Sequence, residues 1–168
     1  MFKQNVSNPV SGTEVATSRV VATFTIVCEG SWKTSELVKQ GGYDLVKNSN
    51  DFITDKLFPI ENHDPLDRTI ELFKFDHDPS DKEVQEELLR RGLEPPTYED
   101  ALYFGIKHPE EQREHLVVFR HTPVLDCFTF EYILVLGEDA SGRYLEATWP
   151  EQWKGHPCVF AGIRKLVA

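Results

Sequence analysis

The sequence predicts an α+β fold, a mostly antiparallel sheet with two to four helices gathered in an acidic middle segment. Three observations carry that prediction. Strand-like runs rich in β-branched residues open and close the chain, two helix-start signals lie between them, and a turn sequence separates two apolar runs near the C-terminus. The 168 residues suit one domain, with a loose tail over 1–17 and an α+β domain over 18–168.

The elements follow in order. "SRVVATFTIVCEG" alternates Val20, Ala22, Phe24 and Ile26 against Val21, Thr23, Thr25 and Val27, which reads as a strand. "TSELVKQGGYDLV" offers Ser35 as an N-cap and Gly41-Gly42 as a stop. Residues 47–68 mix Asn, Asp and Pro with isolated Phe52, Ile53, Leu57 and Phe58, an irregular crossing pinned by its apolar residues. "RTIELFKFD" alternates again and predicts a second strand.

In "SDKEVQEELLRRGL", Ser80 and Glu83 form a capping box, Val84 and Leu88 share a face, and Gly92 sits where a left-handed residue ends the helix. "TYEDALYFG" repeats the logic, with Thr97 as N-cap and Asp100 at N3, until Gly105 or Pro109 ends it. "PEEQREH" has proline at a first-turn position and acids behind it, a short helix. "LVVFR" is a third strand, "FEYILVLGEDASGRYLEATW" a hairpin, "WPEQWKGHP" a loop and "CVFAGIRKLV" a closing strand.

Charge narrows the functions. The chain carries a net −10, and residues 61–114 hold sixteen Asp/Glu against seven Lys/Arg. Such a surface repels phosphate and argues against direct nucleic-acid binding; the expectation is a solvated acidic helical layer. Cys28, Cys127 and Cys158 show no metal-ligand or disulfide spacing, so free buried thiols in a reducing, cytoplasmic setting are expected. The N-terminal "MFKQNVSNPVSGTEVATS" has no apolar core of the kind a signal peptide needs, and no apolar run reaches the roughly 20 residues of a membrane span.

No Walker A, G-x-G-x-x-G or G-x-S-x-G sequence occurs, and no cofactor or metal is expected. Asp76, His77 and Asp78 alternate sides on an extended segment and suit a helix start better than an ion. His108, His115 and His121 match no zinc spacing, although Glu110, Glu111 and Glu114 place carboxylates near His115. The aromatic residues are the stronger signal. Trp149 and Trp153 bracket Pro150 in the loop after the hairpin, and Tyr144, Glu146 and Glu151 lie close by in sequence. Displayed, these five residues make a ligand or partner surface; packed, the tryptophans close the end of the sheet.

Two resemblances add to this. "PPTYEDALYFGIKHPEEQREHLVVF" together with the terminal "FAGIRK" resembles a family of uncharacterised bacterial proteins over about residues 20–168, a likeness that implies no activity. Pro96, Thr97, Asp100, Trp149, Trp153, Phe160, Ile163 and Arg164 resemble the pattern of C-type-lectin-like domains. That second likeness implies a scaffold displaying a variable loop surface; the calcium signature and paired disulfide cysteines of those domains have no counterpart here.

Three functions follow for test. The first is a non-enzymatic binding module that meets a protein or small ligand through the C-terminal hairpin and tryptophan loop. The second is a small hydrolase or nuclease using His115 or His77 with neighbouring carboxylates. The third is an acidic antagonist mimicking nucleic acid toward a basic protein, which needs the acids of 81–114 on one exposed face.

Overall fold

The computed structural model describes residues 18–47 and 52–166; the tail predicted over 1–17 lies outside the described residues. In chain order the elements are β1 (Ser18–Cys28), α1 (Thr34–Gln40), β2 (Leu45–Lys47), β3 (Leu66–Phe75), α2 (Asp81–Arg90) and β4 (Leu93–Glu94). Then come α3 (Tyr98–Lys107), α4 (Glu111–Glu114), β5 (Leu116–Leu125), β6 (Glu131–Asp139), β7 (Gly142–Thr148) and β8 (Cys158–Arg164). The strands make one open, mixed sheet ordered β1-β3-β8-β5-β6-β7-β2, with β4 paired to β8 off this path. Only β5–β8 and β2–β7 are parallel, so the α+β, mostly antiparallel expectation holds. No helix among the described residues is long and apolar enough to cross a membrane.

Helices cover both faces, which explains why the central strands read as continuous apolar runs. On the first face Leu37 of α1 and Leu102 and Phe104 of α3 pack on Ile70, Leu72, Val117, Phe119, Leu134 and Leu136. On the second, Val84 and Leu88 of α2 join Phe73, Val118, Val135, Trp153 and Phe160. The last strand in sequence, β8, sits in the middle of the sheet and is buried along its length until Arg164.

Both predicted capping boxes are present. Ser80 accepts from the Glu83 N–H (3.2 Å) and Thr97 from that of Asp100 (3.1 Å), and each N3 carboxylate returns a bond to its cap. The N-cap predicted at Ser35 is instead Lys33, two residues earlier, and the helix begins at Thr34. Thr34 is buried with its hydroxyl donating to the Phe58 carbonyl, while the Asp55 carboxylate accepts from both the N–H and the hydroxyl of Ser35 (2.8 Å each). A side chain from the crossing segment thus caps this helix, a partner no local pattern reveals.

The acidic segment is more than a solvated layer. Glu71, Glu87 and Asp100 are buried, and each is paired. Arg68 makes a two-pronged contact with Asp100 (2.9 Å on both arms), Arg164 meets Glu71 (2.7 Å), and Arg91 meets Glu87 (2.9 Å). Buried carboxylates persist only where such pairing offsets lost hydration. Because α2 and α3 lie on opposite faces, the acids of 81–114 do not share one surface.

Strand β5 runs past the predicted "LVVFR" through Thr122-Pro123 to Leu125, with a register shift against β6 between Phe119 and Val124. His121 fills the irregularity. Its Nε2 accepts from the Leu134 N–H (2.9 Å), which places the ring proton on Nδ1, facing the Thr122 carbonyl (2.7 Å). Burial pushes this imidazole down to about 4, so it stays neutral. Cys28 and Cys158 are buried as expected, but Cys127 is exposed on the turn between β5 and β6.

Candidate functional site

The structure separates the five residues picked from the sequence. Along β7, Arg143, Leu145 and Ala147 are buried, and the alternation continues to Trp149 just past the strand. There Trp149 stacks on Phe130 (centroids 5.6 Å, planes 28° apart) and leans on Tyr132 (6.4 Å), an aromatic residue packed against the first-face core. Trp149 remains 46 % exposed, Phe130 53 % and Phe128, on the adjoining turn, 75 %.

A single carboxylate organises that turn. Asp126 accepts from the N–H groups of Phe128 (2.8 Å) and Phe130 (3.0 Å) and from the Tyr132 hydroxyl (3.2 Å). Thr129 takes a left-handed conformation (φ 66°), and its N–H donates to the Asp126 carbonyl (3.1 Å). The aromatic end is therefore presented by a hydrogen-bonded turn. In "DCFTFEY" the signal was Asp126 itself, since an aspartate side chain readily accepts from the backbone N–H two residues on.

Trp153 goes the other way. It is 1 % exposed on the second face, edge-on to Phe160 (5.3 Å), with its indole N–H donating to the Pro79 carbonyl (3.0 Å). Glu151, also left-handed (φ 74°), accepts from the Asp81 N–H (2.9 Å) in the first turn of α2. Gly155 N–H reaches Asp78 (3.2 Å). Trp153 is thus a buried anchor rather than a displayed ring, and Glu151, itself exposed, helps fasten the loop onto the start of α2, because a turn after β7 carries the chain across the sheet.

Tyr144 and Glu146 occupy a third position. With Val135 and Gly137 they floor a groove of about 410 Å³ on the second face, where α2 does not reach. Residues 113–116 form one wall and 152–157 the other, so His115, Arg113 and Trp153 all border it. Lys47, on edge strand β2, holds its ammonium 3.7 Å from the Tyr144 ring centroid and 2.6 Å from Asp139. Arg113 reaches Glu138 (3.0 Å). Gly137 is required here, since a Cβ would run into the Tyr144 ring lying across it.

Behind the groove sits a network the sequence did not reveal. Buried Gln112 donates to the Gly137 (2.8 Å) and Tyr144 (3.0 Å) carbonyls. It accepts from Arg143 (2.9 Å), whose guanidinium also donates to the Gly41 and Gly105 carbonyls (3.0 Å each). A buried arginine facing neutral acceptors ties α1, α3 and α4 to β7.

His77, His108, His115 and His121, the histidines singled out from the sequence, do not converge. His115 borders the groove, His121 lies in the sheet, and His108 sits against the Phe24 and Phe104 rings. His77 stands apart between Asp76 (2.6 Å) and Glu83 (3.0 Å), hydrogen bonds that raise its pKa, Asp76's being the larger. Among the described residues no group of three His, Cys, Asp or Glu side chains is placed to hold a metal ion. Compared with known proteins, the chain matches no family model, no curated protein and no solved structure.

Proposed function

We propose that this protein is a non-enzymatic binding module that engages a protein partner through the aromatic end of its sheet. The stacked pair Phe130–Trp149 carries the reading: two large rings half in water, beside a third at Phe128, on a turn held by Asp126. Exposed apolar area forgoes roughly 25 cal/mol per Å² until something covers it, and rings already held in place lose little freedom on binding. Tryptophan is also the residue most enriched at the energetic centre of interfaces. The C-type-lectin-like sequence pattern accords with a scaffold that displays a surface, and the free cysteines suit a reducing, cytoplasmic setting.

The test is a peptide array probed with the wild-type chain and with Trp149→Ala and Phe130→Ala, each variant checked for an unchanged melting temperature. Ligands that both variants lose support the reading; ligands bound equally by all three proteins remove it.

A second reading rests on the groove, where His115, Glu138 and Glu146 border one cavity with Tyr144. Its size falls within the range of small-molecule sites. Here the alternative of a small ligand, or of hydrolysis using His115, has its place. Fragment screening by NMR separates the two readings: shifts confined to Tyr144 and the 113–116 wall favour the groove, shifts at Phe130 and Trp149 the aromatic end. Ester or nucleic-acid hydrolysis abolished by His115→Ala overturns the non-enzymatic reading.

A further inference from the structure

The two edges of the sheet are protected very unequally. An edge strand presents unpaired N–H and C=O groups, and proteins guard it with shortness, charge, proline or bulges. At one end β2 is three residues long. At the other, β1 is eleven residues long and, among the described residues, pairs on one side only, with β3. Its register is interrupted between Val20 and Ala22, leaving Val21 as an extra residue. From there to Cys28 the pairing with β3 is regular, Ala22 opposite Leu72 through Cys28 opposite Leu66.

That regular stretch, "ATFTIVC", contains no charged residue, no proline and no glycine in a chain of which 27 % is charged. Thr23, Thr25 and Val27 face solvent on the second face, while Ile26 and Cys28 are buried on the first.

We infer that a second copy of this chain pairs antiparallel along residues 22–28 of β1, joining two sheets across a two-fold axis. The stretch complements itself. With Thr25 on the axis opposite its own copy, Thr23 meets Val27 of the second copy and Phe24 meets Ile26. Ala22 meets Cys28. Aromatic–β-branched and Thr–Thr neighbours are favourable cross-strand pairs, and no like charges come opposite one another. A two-fold axis perpendicular to the sheet keeps the two first faces on the same side, where partly buried Phe24 comes opposite an Ile26 already covered by its own chain, and the new side-chain contacts fall on Thr23, Thr25 and Val27. The bulge at Val21 ends the ladder at one side. At the other, Glu29 is engaged within its own chain by the Trp32 indole N–H (3.1 Å). The chain carries a net −10, and the side chains of 22–28 add nothing to the repulsion between copies.

The test is sedimentation of the full chain from low to high micromolar concentration, read together with hydrogen exchange of the outward-pointing amides of 22–28, the alternate ones that β3 leaves unpaired. The expected result is a species of twice the 19.3 kDa chain mass that grows with concentration, with those amides slowing in parallel. Thr25→Lys sets two ammonium groups against each other on the axis, on an exposed position, and weakens the dimer about tenfold or more, whereas Thr25→Val preserves it. A chain that stays monomeric at every concentration overturns the inference, as does a dimer indifferent to Thr25→Lys. Slow exchange in the monomer at the outward-pointing amides of 22–28, the alternate ones that do not donate to β3, also overturns it, because another part of the same chain then occupies the edge.

Discussion

Trp149 and Trp153 are four residues apart and chemically identical, yet they end on opposite faces of the sheet in opposite roles. Trp149 keeps the parity of β7 and stays in water against Phe130. Trp153 is carried round by the loop, buries its ring on Phe160 and satisfies its N–H on Pro79. Residue type does not decide between anchor and display. The number of residues after the strand does, together with whether a carbonyl waits where the indole arrives.

The comparison breaks most sharply under truncation. Trp153→Ala leaves a cavity beneath α2 and an unmet Pro79 carbonyl, and it should cost about 3–5 kcal/mol in urea unfolding. Trp149→Ala, at a half-exposed ring, should stay below about 1 kcal/mol. Equal losses would show that both rings are structural.

Next in size is the effect of pH at His121, on the strand that leads to the aromatic end. An unfolded imidazole titrates near 6.5 and this one near 4. Between those values the unfolded chain binds a proton that the folded chain refuses, so acidification removes stability, up to about 3 kcal/mol once pH falls below 4. His77 runs the other way: its raised pKa contributes stability that is present below pH 6.5 and lost as pH climbs through the folded value. Urea midpoints measured from pH 7 down to 5, for wild type and His121→Gln, check the first; an NMR titration of both rings checks the second.

Smaller again is Asp126→Ala, which removes three acceptor bonds and should cost about 1–2 kcal/mol. Faster exchange at the Phe128 and Phe130 amides would sharpen the claim that display depends on preorganisation. The smallest effect is spectroscopic: acrylamide quenching should fall in Trp149→Phe and rise slightly in Trp153→Phe, which removes a shielded emitter, with partly buried Trp32 the remaining source.

Much of the scaffold was legible because it rests on local chemistry. Ser80 with Glu83, Thr97 with Asp100, and the turn between β6 and β7 are patterns a few residues long, and each forms where expected. What escaped is what distant partners decide. Asp55 caps α1 from twenty residues away. Three-residue β2 is a strand only because β7 lies beside it, and Pro123 hides the far end of β5. The candidate site suffered most. Tyr144 and Glu146 floor a groove, Trp149 belongs to a different surface and Glu151 caps a helix, a division set by sheet parity and the loop's path. Phe128 lies between two strand patterns and Phe130 at the first residue of the predicted hairpin, and nothing local marks either ring as exposed.

The brevity of β2 has a consequence for stoichiometry. A sheet with two open edges adds copies at both ends and grows without limit, as fibres do. Here one edge offers a seven-residue self-matching stretch, while the other offers three residues, in parallel with their neighbour and with the Lys47 ammonium at the margin. Assembly through the β1 edge uses up the only long edge among the described residues of each copy, so it closes at two.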